Sequence, residues 1–296
     1  MVVCLCCIQA IPSVSVQLLA TAAALVYGHR TLFRNRTQSV WLRRVTLVTF
    51  AVTIIFALAL GLLAVGLLVL SFNDDLRLSA FASFCAKSGS EPSPLDEHRC
   101  ALFDSSLGSK VIEFGGSWGG TRTGPGTNFR CLENITQSIE KYVAVEPNSY
   151  FVDSLNAEFN RSRLDFELDI VGTRGEDIDI ADNGSYDSVI MTHVLCSVKS
   201  VETVLDNAEK ALRPGGKMLF MEHVLAKDNT RLFYLQRLVA PILYIVGNGC
   251  KIRNLEDIMR THFGERMDID LTSFDGDMPK AMFFARPHIK GVAVKK

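Results

Sequence analysis

Glu146 ends the apolar run Val143-Ala144-Val145, and Gly115 ends the earlier run Val111-Ile112-Glu113-Phe114. A carboxylate at the end of one strand can accept hydrogen bonds from both hydroxyls of a ribose. Glycines after the preceding strand let the backbone approach a cofactor closely and turn into a helix whose N–H groups face it. Together these residues point to a cofactor containing adenosine. Further on, His193 follows the run Ser188-Val189-Ile190-Met191, and Glu222-His223 follows Lys217-Met-Leu-Phe-Met221. In open parallel sheets ligands sit outside the carboxyl ends of the strands, so His193, Glu222 and His223 are the candidates for proton chemistry. Each is equally readable as a packed or strand-end polar residue.

The first loop is unusual. Read without a gap, Glu113-x-Gly115-x-Ser117-x-Gly119 places serine at the middle glycine. Read with about seven extra residues inside 116–123, it is Glu113-x-Gly115 followed by Gly124-Pro125-Gly126-Thr127-Asn128-Phe129. The second reading is preferred because it shortens the Gly115–Glu146 separation to about 24, near the usual spacing of roughly 20. Glu113, Gly115, Gly124, Gly126, Asn128 and Glu146 are thus the cofactor-binding candidates of this half. Leu212-Arg213-Pro214-Gly215-Gly216, which stops a helix with apolar spacing over Val198–Leu212, favours S-adenosylmethionine over a nicotinamide cofactor.

The elements that must position these residues alternate strand and helix. Strands are expected at Val111–Phe114, Val143–Val145, Leu164–Ile170, Tyr186–Met191, Lys217–Met221 and Phe283–Arg286. Such alternation predicts an α/β fold with a doubly wound, mostly parallel sheet. Leu232–Val246 reads as an apolar helix, expected to pack in the core unless part of it faces the cleft or a bilayer.

The net charge of −1 and the absence of a basic stripe with interleaved aromatics argue against nucleic acid as a partner. None of the eight cysteines pairs with a histidine at zinc spacing, so no metal site is expected. Their scatter favours reduced thiols over a disulfide framework, and Cys196 reads as a packed residue rather than a nucleophile.

The 296 residues divide into a membrane region at 1–78, a linker and lead-in helix at 79–107, and a catalytic domain at 108–296. Val45–Asn73 carries no charged side chain and is long enough to span a bilayer. Met1–Tyr27 is a weaker apolar stretch, readable as a first span, an interfacial segment or a signal-like sequence. Arg30, Arg34, Arg36, Arg43 and Arg44 precede the strong segment, and Asp74 and Asp75 follow it. The positive-inside rule would send the domain across the membrane. A methyl donor made in the cytosol favours a cytosolic domain, which a re-entrant hairpin bent at Gly61 and Gly66 would allow. Asn134-Ile-Thr, Asn160-Arg-Ser and Asn183-Gly-Ser become glycosylation acceptors only on the lumenal side.

Val194-Leu-Cys-Ser-Val-Lys199, Leu212-Arg-Pro-Gly-Gly216, Phe220-Met-Glu-His-Val224, Gly249-Cys250 and Arg286-Pro-His-Ile289 with Gly291 occur together in this chain. With Gly126-Thr-Asn-Phe129, they resemble the methyltransferase-like protein 7 family, membrane-associated thiol S-methyltransferases of the class I superfamily. The resemblance covers roughly residues 108 to 295. It implies a seven-stranded Rossmann-like sheet, S-adenosylmethionine as methyl donor, and small lipophilic thiols as acceptors. It also implies a place on the endoplasmic reticulum or lipid droplets, with a cytosolic domain and the bilayer as partner. Methyltransferases commonly line the adenine at the position of Gly175-Glu176, which adds these two residues, and His193 again, to the cofactor-binding candidates. The interrupted glycine loop and the longer hydrophobic N-terminus depart from the family pattern. They keep two alternatives open: a lipid or quinone acceptor, and a binding protein that kept the fold and lost catalysis. A nicotinamide oxidoreductase is disfavoured by the lack of a clean Gly-x-Gly-x-x-Gly and of a Tyr-x-x-x-Lys pair.

Overall fold

A computed structural model describes residues 40–87, 93–103, 107–115, 126–133, 135, 139–180, 183–278 and 280–296. The chain divides into two units, Met1–Phe72 and Asn73–Lys296. The weak segment 1–27, Gly124 and the extra residues of the first loop lie outside the described residues.

In the first unit, helix α1 (Val40–Phe72) runs without interruption through Gly61 and Gly66, so the hairpin alternative is corrected. Its stretch Arg44–Phe72 is long and apolar enough to cross a membrane. At 1.5 Å per residue those 29 residues exceed the roughly 30 Å hydrocarbon core and would span it with tilt. The few hydroxyls are satisfied within the helix: Thr49 Oγ1 donates to the Val45 carbonyl at 2.9 Å, and Ser71 Oγ to that of Leu67 at 2.7 Å. Polar groups that bond their own helix suit a medium without water.

The second unit opens with α2 (Asp74–Lys87) and α3 (Asp96–Phe103). Residues 73–78, expected in the membrane region, belong to this unit. It continues with β1 (Lys110–Phe114), α4 (Phe129–Leu132), β2 (Lys141–Val145), α5 (Val152–Arg161), β3 (Glu167–Val171), β4 (Tyr186–Thr192) and α6 (Val201–Ala211). Then follow β5 (Leu212–His223), α7 (Arg231–Val246), α8 (Leu255–Phe263), β6 (Met267–Asp275) and β7 (Pro287–Lys295). The seven strands form one sheet in the order β3-β2-β1-β4-β5-β7-β6. β1 to β5 pair in parallel, and β7 runs antiparallel between β5 and β6. This is the doubly wound, Rossmann-like arrangement expected. The order reverses between β1 and β4, whose carboxyl ends therefore open a crevice.

Local sequence explains the central elements. Val111, Ile112 and Phe114 of β1 are buried, as a strand covered on both faces requires. α6 buries Val201, Val204, Leu205, Ala208 and Ala211 on one stripe, and Ser200 caps it by accepting from the Thr203 amide at 3.2 Å. Gln236 is the buried residue of α7, while Tyr234, Leu238, Ile242, Tyr244 and Val246 are exposed. Core packing of that helix is therefore corrected: its apolar face is open.

A second correction concerns thiol chemistry. Cys100 of α3 and Cys131 of α4 form a disulfide across 31 residues, where reduced thiols were expected. No sequence spacing signals this pair; the packing of α3 against α4 brings it together. Cys85, Cys196 and Cys250 are buried and, among the described residues, form no disulfide.

Candidate active site

An open cavity lies at the carboxyl ends of β1, β2 and β4, walled by Gly115, Glu146, Gly175, Glu176 and His193 among others. Five of the residues singled out from sequence thus share one cavity. Gly115 adopts φ +72°, and a Cβ there would lie 2.5 Å from the Val194 side chain, so only glycine permits this turn. Gly175 lets the Phe114 ring approach: its Cβ would meet that ring at 2.8 Å. Phe114 and Val145 give the wall apolar surface, and Glu146 gives it a buried carboxylate, which accepts from the Asn148 amide at 2.8 Å. An apolar slot beside an acid and a glycine cradle is a fit for an adenosine group.

Other candidates stand behind the wall. Glu113 accepts from the Tyr142 hydroxyl at 2.6 Å and from the Asn128 amide, whose nitrogen also donates to Thr192 Oγ1 at 3.0 Å. These groups form a buried network joining β1, β2, β4 and the start of α4. Burial pushes the Glu113 carboxyl up to about 7, against the pull of the Tyr142 and Asn128 hydrogen bonds. Gly126, at φ +75°, packs against Phe129 and Glu158. Glu176 lines the cavity, but its carboxylate already accepts from the amides of Lys199 and Ser200 at 2.6 and 3.4 Å, tying the entry to α6.

His193 has φ +56°, a conformation that side chains with a Cβ rarely adopt. Two contacts hold it. The His193 amide donates to the Met221 carbonyl at 2.8 Å, and Glu222 Oε1 accepts from the next two amides, Val194 and Leu195, at 2.7 and 2.8 Å. Glu222 thus fixes the backbone of the turn. Burial, with Cys196 nearby, pushes its carboxyl up to about 8.

The His193 ring meets His288 of β7, Nε2 to Nε2 at 3.1 Å, and His288 Nδ1 lies 2.8 Å from the Arg286 carbonyl. A carbonyl only accepts, so His288 carries its proton on Nδ1. Burial holds His288 down to about 4, so the ring is neutral and its Nε2 is an acceptor. His193 must then donate from Nε2, which leaves the lone pair on Nδ1. Burial, His288 and His223 also hold His193 well below the ordinary histidine range. His223 is not part of the cavity wall; its Nε2 lies 3.2 Å from Cys250 Sγ.

Several wall residues were not singled out as site residues. Arg77, Leu78 and Phe81 come from α2, and Tyr244, Asn248 and Lys251 from α7 and the loop after it. The apolar spacing of Leu78 and Phe81 behind the acidic start of α2 is the signal available. For Asn248, φ +50° emerges only in the structure.

Residues 122–220 match the methyltransferase-domain family. The seven-stranded sheet around this matched segment has the Rossmann-like methyltransferase fold. The human thiol S-methyltransferase TMT1A is 33% identical over 158 residues, covering 52% of this chain and 62% of that protein. The mouse thiol S-methyltransferase TMT1B is 35% identical over 159 residues, with the same coverage. The chain therefore spans under two thirds of the length of these relatives. The fold is shared with the YcgJ protein of Bacillus subtilis, at TM-score 0.52 and 9% identity over 68% of this chain and 99% of that one. It is shared equally with the N-methyltransferase NodS of Bradyrhizobium japonicum, solved with S-adenosyl-L-homocysteine, at TM-score 0.50 and 14% identity. That match covers 74% of this chain and 98% of NodS.

Proposed function

We propose that this chain is a membrane-anchored, S-adenosylmethionine-dependent methyltransferase that methylates small lipophilic thiols by in-line transfer. The observation that carries the reading is the cavity that joins the glycine cradle, Glu146 and a tautomer-fixed His193 at the switch point of a methyltransferase fold. The thiol S-methyltransferase relatives support the acceptor class. The resemblance in sequence supports a place on the endoplasmic reticulum or lipid droplets.

In this reading Glu146 accepts the ribose hydroxyls and Phe114, Val145 and Gly175 flank the adenine. When bound, the donor supplies a methyl group on a positively charged sulfonium, and that charge favours the thiolate form of an acceptor beside it. The residues do the rest by alignment and by excluding water. The cavity would hold an acceptor thiol beside His193, where the sulfonium charge favours loss of its proton. Its sulfur takes the methyl group in line, and the electron pair of the broken carbon–sulfur bond leaves with the donor. Glu222 keeps His193 in place by holding the amides that follow it.

The anchor is α1, and the exposed apolar face of α7 supports a bilayer as acceptor source. α7 also contacts α2 within the second unit. Tyr244 of α7 lines the cavity, so an acceptor dissolved in lipid has a route along that helix.

The test is methyl transfer from labelled S-adenosylmethionine to a panel of lipophilic thiols, using membranes from cells expressing the full chain, with Glu146→Ala as matched control. Activity lost in the variant is the expected result. Donor binding without thiol methylation would move the acceptor to another class, and absence of both would overturn the enzyme reading.

A further inference from the structure

One residue behind the cavity wall, three buried ligand-type side chains converge. Cys196 leaves the turn after β4, His223 ends β5, and Cys250 lies in the loop between α7 and α8. Their two Sγ atoms and the imidazole nitrogen all lie within 4.8 Å of one another, and His223 Nε2 is 3.2 Å from Cys250 Sγ. Their neighbours Ser197, Gly249 and Lys251 line the cavity. We propose that Cys196, His223 and Cys250 form a binding site for a thiophilic divalent cation, zinc by the chemistry of its ligands.

Ligand type and spacing both favour this. Two thiolates and an imidazole form a soft donor set of the kind zinc takes, whereas calcium and magnesium require oxygen. A tetrahedral zinc with bonds near 2.3 Å to sulfur and 2.0 Å to nitrogen holds its ligand atoms about 3.5–3.8 Å apart. The ligand atoms lie within 4.8 Å of one another, so side-chain shifts of about 1 Å would bring them to that spacing. The three residues come from three separate elements, so a bound cation would pin the loop after α7 to the ends of β4 and β5. Three protein ligands leave a fourth position for water or an incoming ligand. The surrounding shell is in place: Ser197 Oγ lies 3.4 Å from Cys196 Sγ, and Arg253 holds the same turn through the Leu195 and Val198 carbonyls at 3.1 and 2.7 Å. This proposal does not depend on the acceptor of the methyltransferase reading.

The test uses the full chain purified in detergent with a thiol reductant and no chelator. Metal content is measured by mass spectrometry, then cobalt is exchanged in and the absorption spectrum recorded. Stoichiometric zinc, and a thiolate-to-cobalt charge-transfer band in the near ultraviolet, are expected. Both should be lost in Cys196→Ser and in Cys250→Ser, with helix content by circular dichroism reporting whether each variant folds. If a variant fails to fold, the wild-type spectrum still decides, because only sulfur ligation produces that band. Metal bound without the band would overturn the proposal by placing the ion on oxygen and nitrogen ligands, such as Asp206, Glu209 and His262 at the surface. A metal-free protein, or a Cys196–Cys250 disulfide in its place, would overturn it as well.

Discussion

His288 and His193 meet through their Nε2 atoms at 3.1 Å, and the Arg286 carbonyl behind His288 decides which nitrogen of each ring carries a proton. A residue of the antiparallel strand β7 therefore sets the tautomer of a residue on the parallel part of the sheet. His288→Phe removes the acceptor while keeping a ring of similar size. Turnover of a thiol acceptor should fall by roughly tenfold, the scale of about 1.4 kcal/mol lost when the His193 ring loses its hydrogen-bonded position, with the KM for the donor little changed. A rise in donor KM at constant turnover would reassign the pair to cofactor binding.

Glu222→Leu should leave the Val194 and Leu195 amides without their acceptor. Two unsatisfied amides at a left-handed turn should lower stability by about 1–3 kcal/mol and loosen His193. Chemical denaturation together with turnover would show both effects. Unchanged stability would mean that the turn holds by other contacts.

Glu146→Ala removes the carboxylate that faces the cavity. Charged hydrogen bonds are each worth about 1.5–3 kcal/mol, so donor affinity should weaken by roughly tenfold to a hundredfold, measurable by calorimetry without any acceptor present.

Glu113 gives the fold a pH dependence of definite sign. Its folded value is raised to about 7 from an ordinary 4.5, with Tyr142, Asn128, Arg99 and Glu146 as the groups around it. The folded state therefore holds this proton more tightly than the unfolded chain. The resulting stability is fully present below about 4.5 and is lost as the pH rises through about 7, a change on the order of 3 kcal/mol. Denaturation of the full chain in detergent at pH 5 and pH 8 should show this fall, and Glu113→Gln should flatten it.

A Cys100–Cys131 bond would be favoured in an oxidising compartment, the side to which the arginines before α1 and the aspartates after it would send the domain by the positive-inside rule. Asn160 and Asn183 are exposed acceptors in the same domain. A disulfide-linked peptide under non-reducing conditions and a glycosidase-sensitive mass shift should be found together. Free Cys100 and Cys131 with unmodified asparagines would instead return the domain to the cytosol.

The sequence by itself determined the apolar helix, the alternation that makes a doubly wound sheet, and which residues stand at strand ends. These features are local: an uncharged run, short apolar runs and glycine turns declare themselves within a few neighbours. Gly115, Glu146, Gly175, Glu176 and His193 were legible for this reason, since strand ends of a parallel sheet converge on one crevice. Tertiary structure decided how the strand-end residues are used. Whether Glu222 grips a ring or a backbone turn depends on where the chain folds back 27 residues earlier. His193 and His288 are 95 residues apart, and Cys100 and Cys131 are 31 apart, so no periodic pattern links them. The exposed face of α7 was illegible for a related reason. An apolar helix carries the same residues whether it meets a core or a membrane, and only the packing around it shows which side is left open.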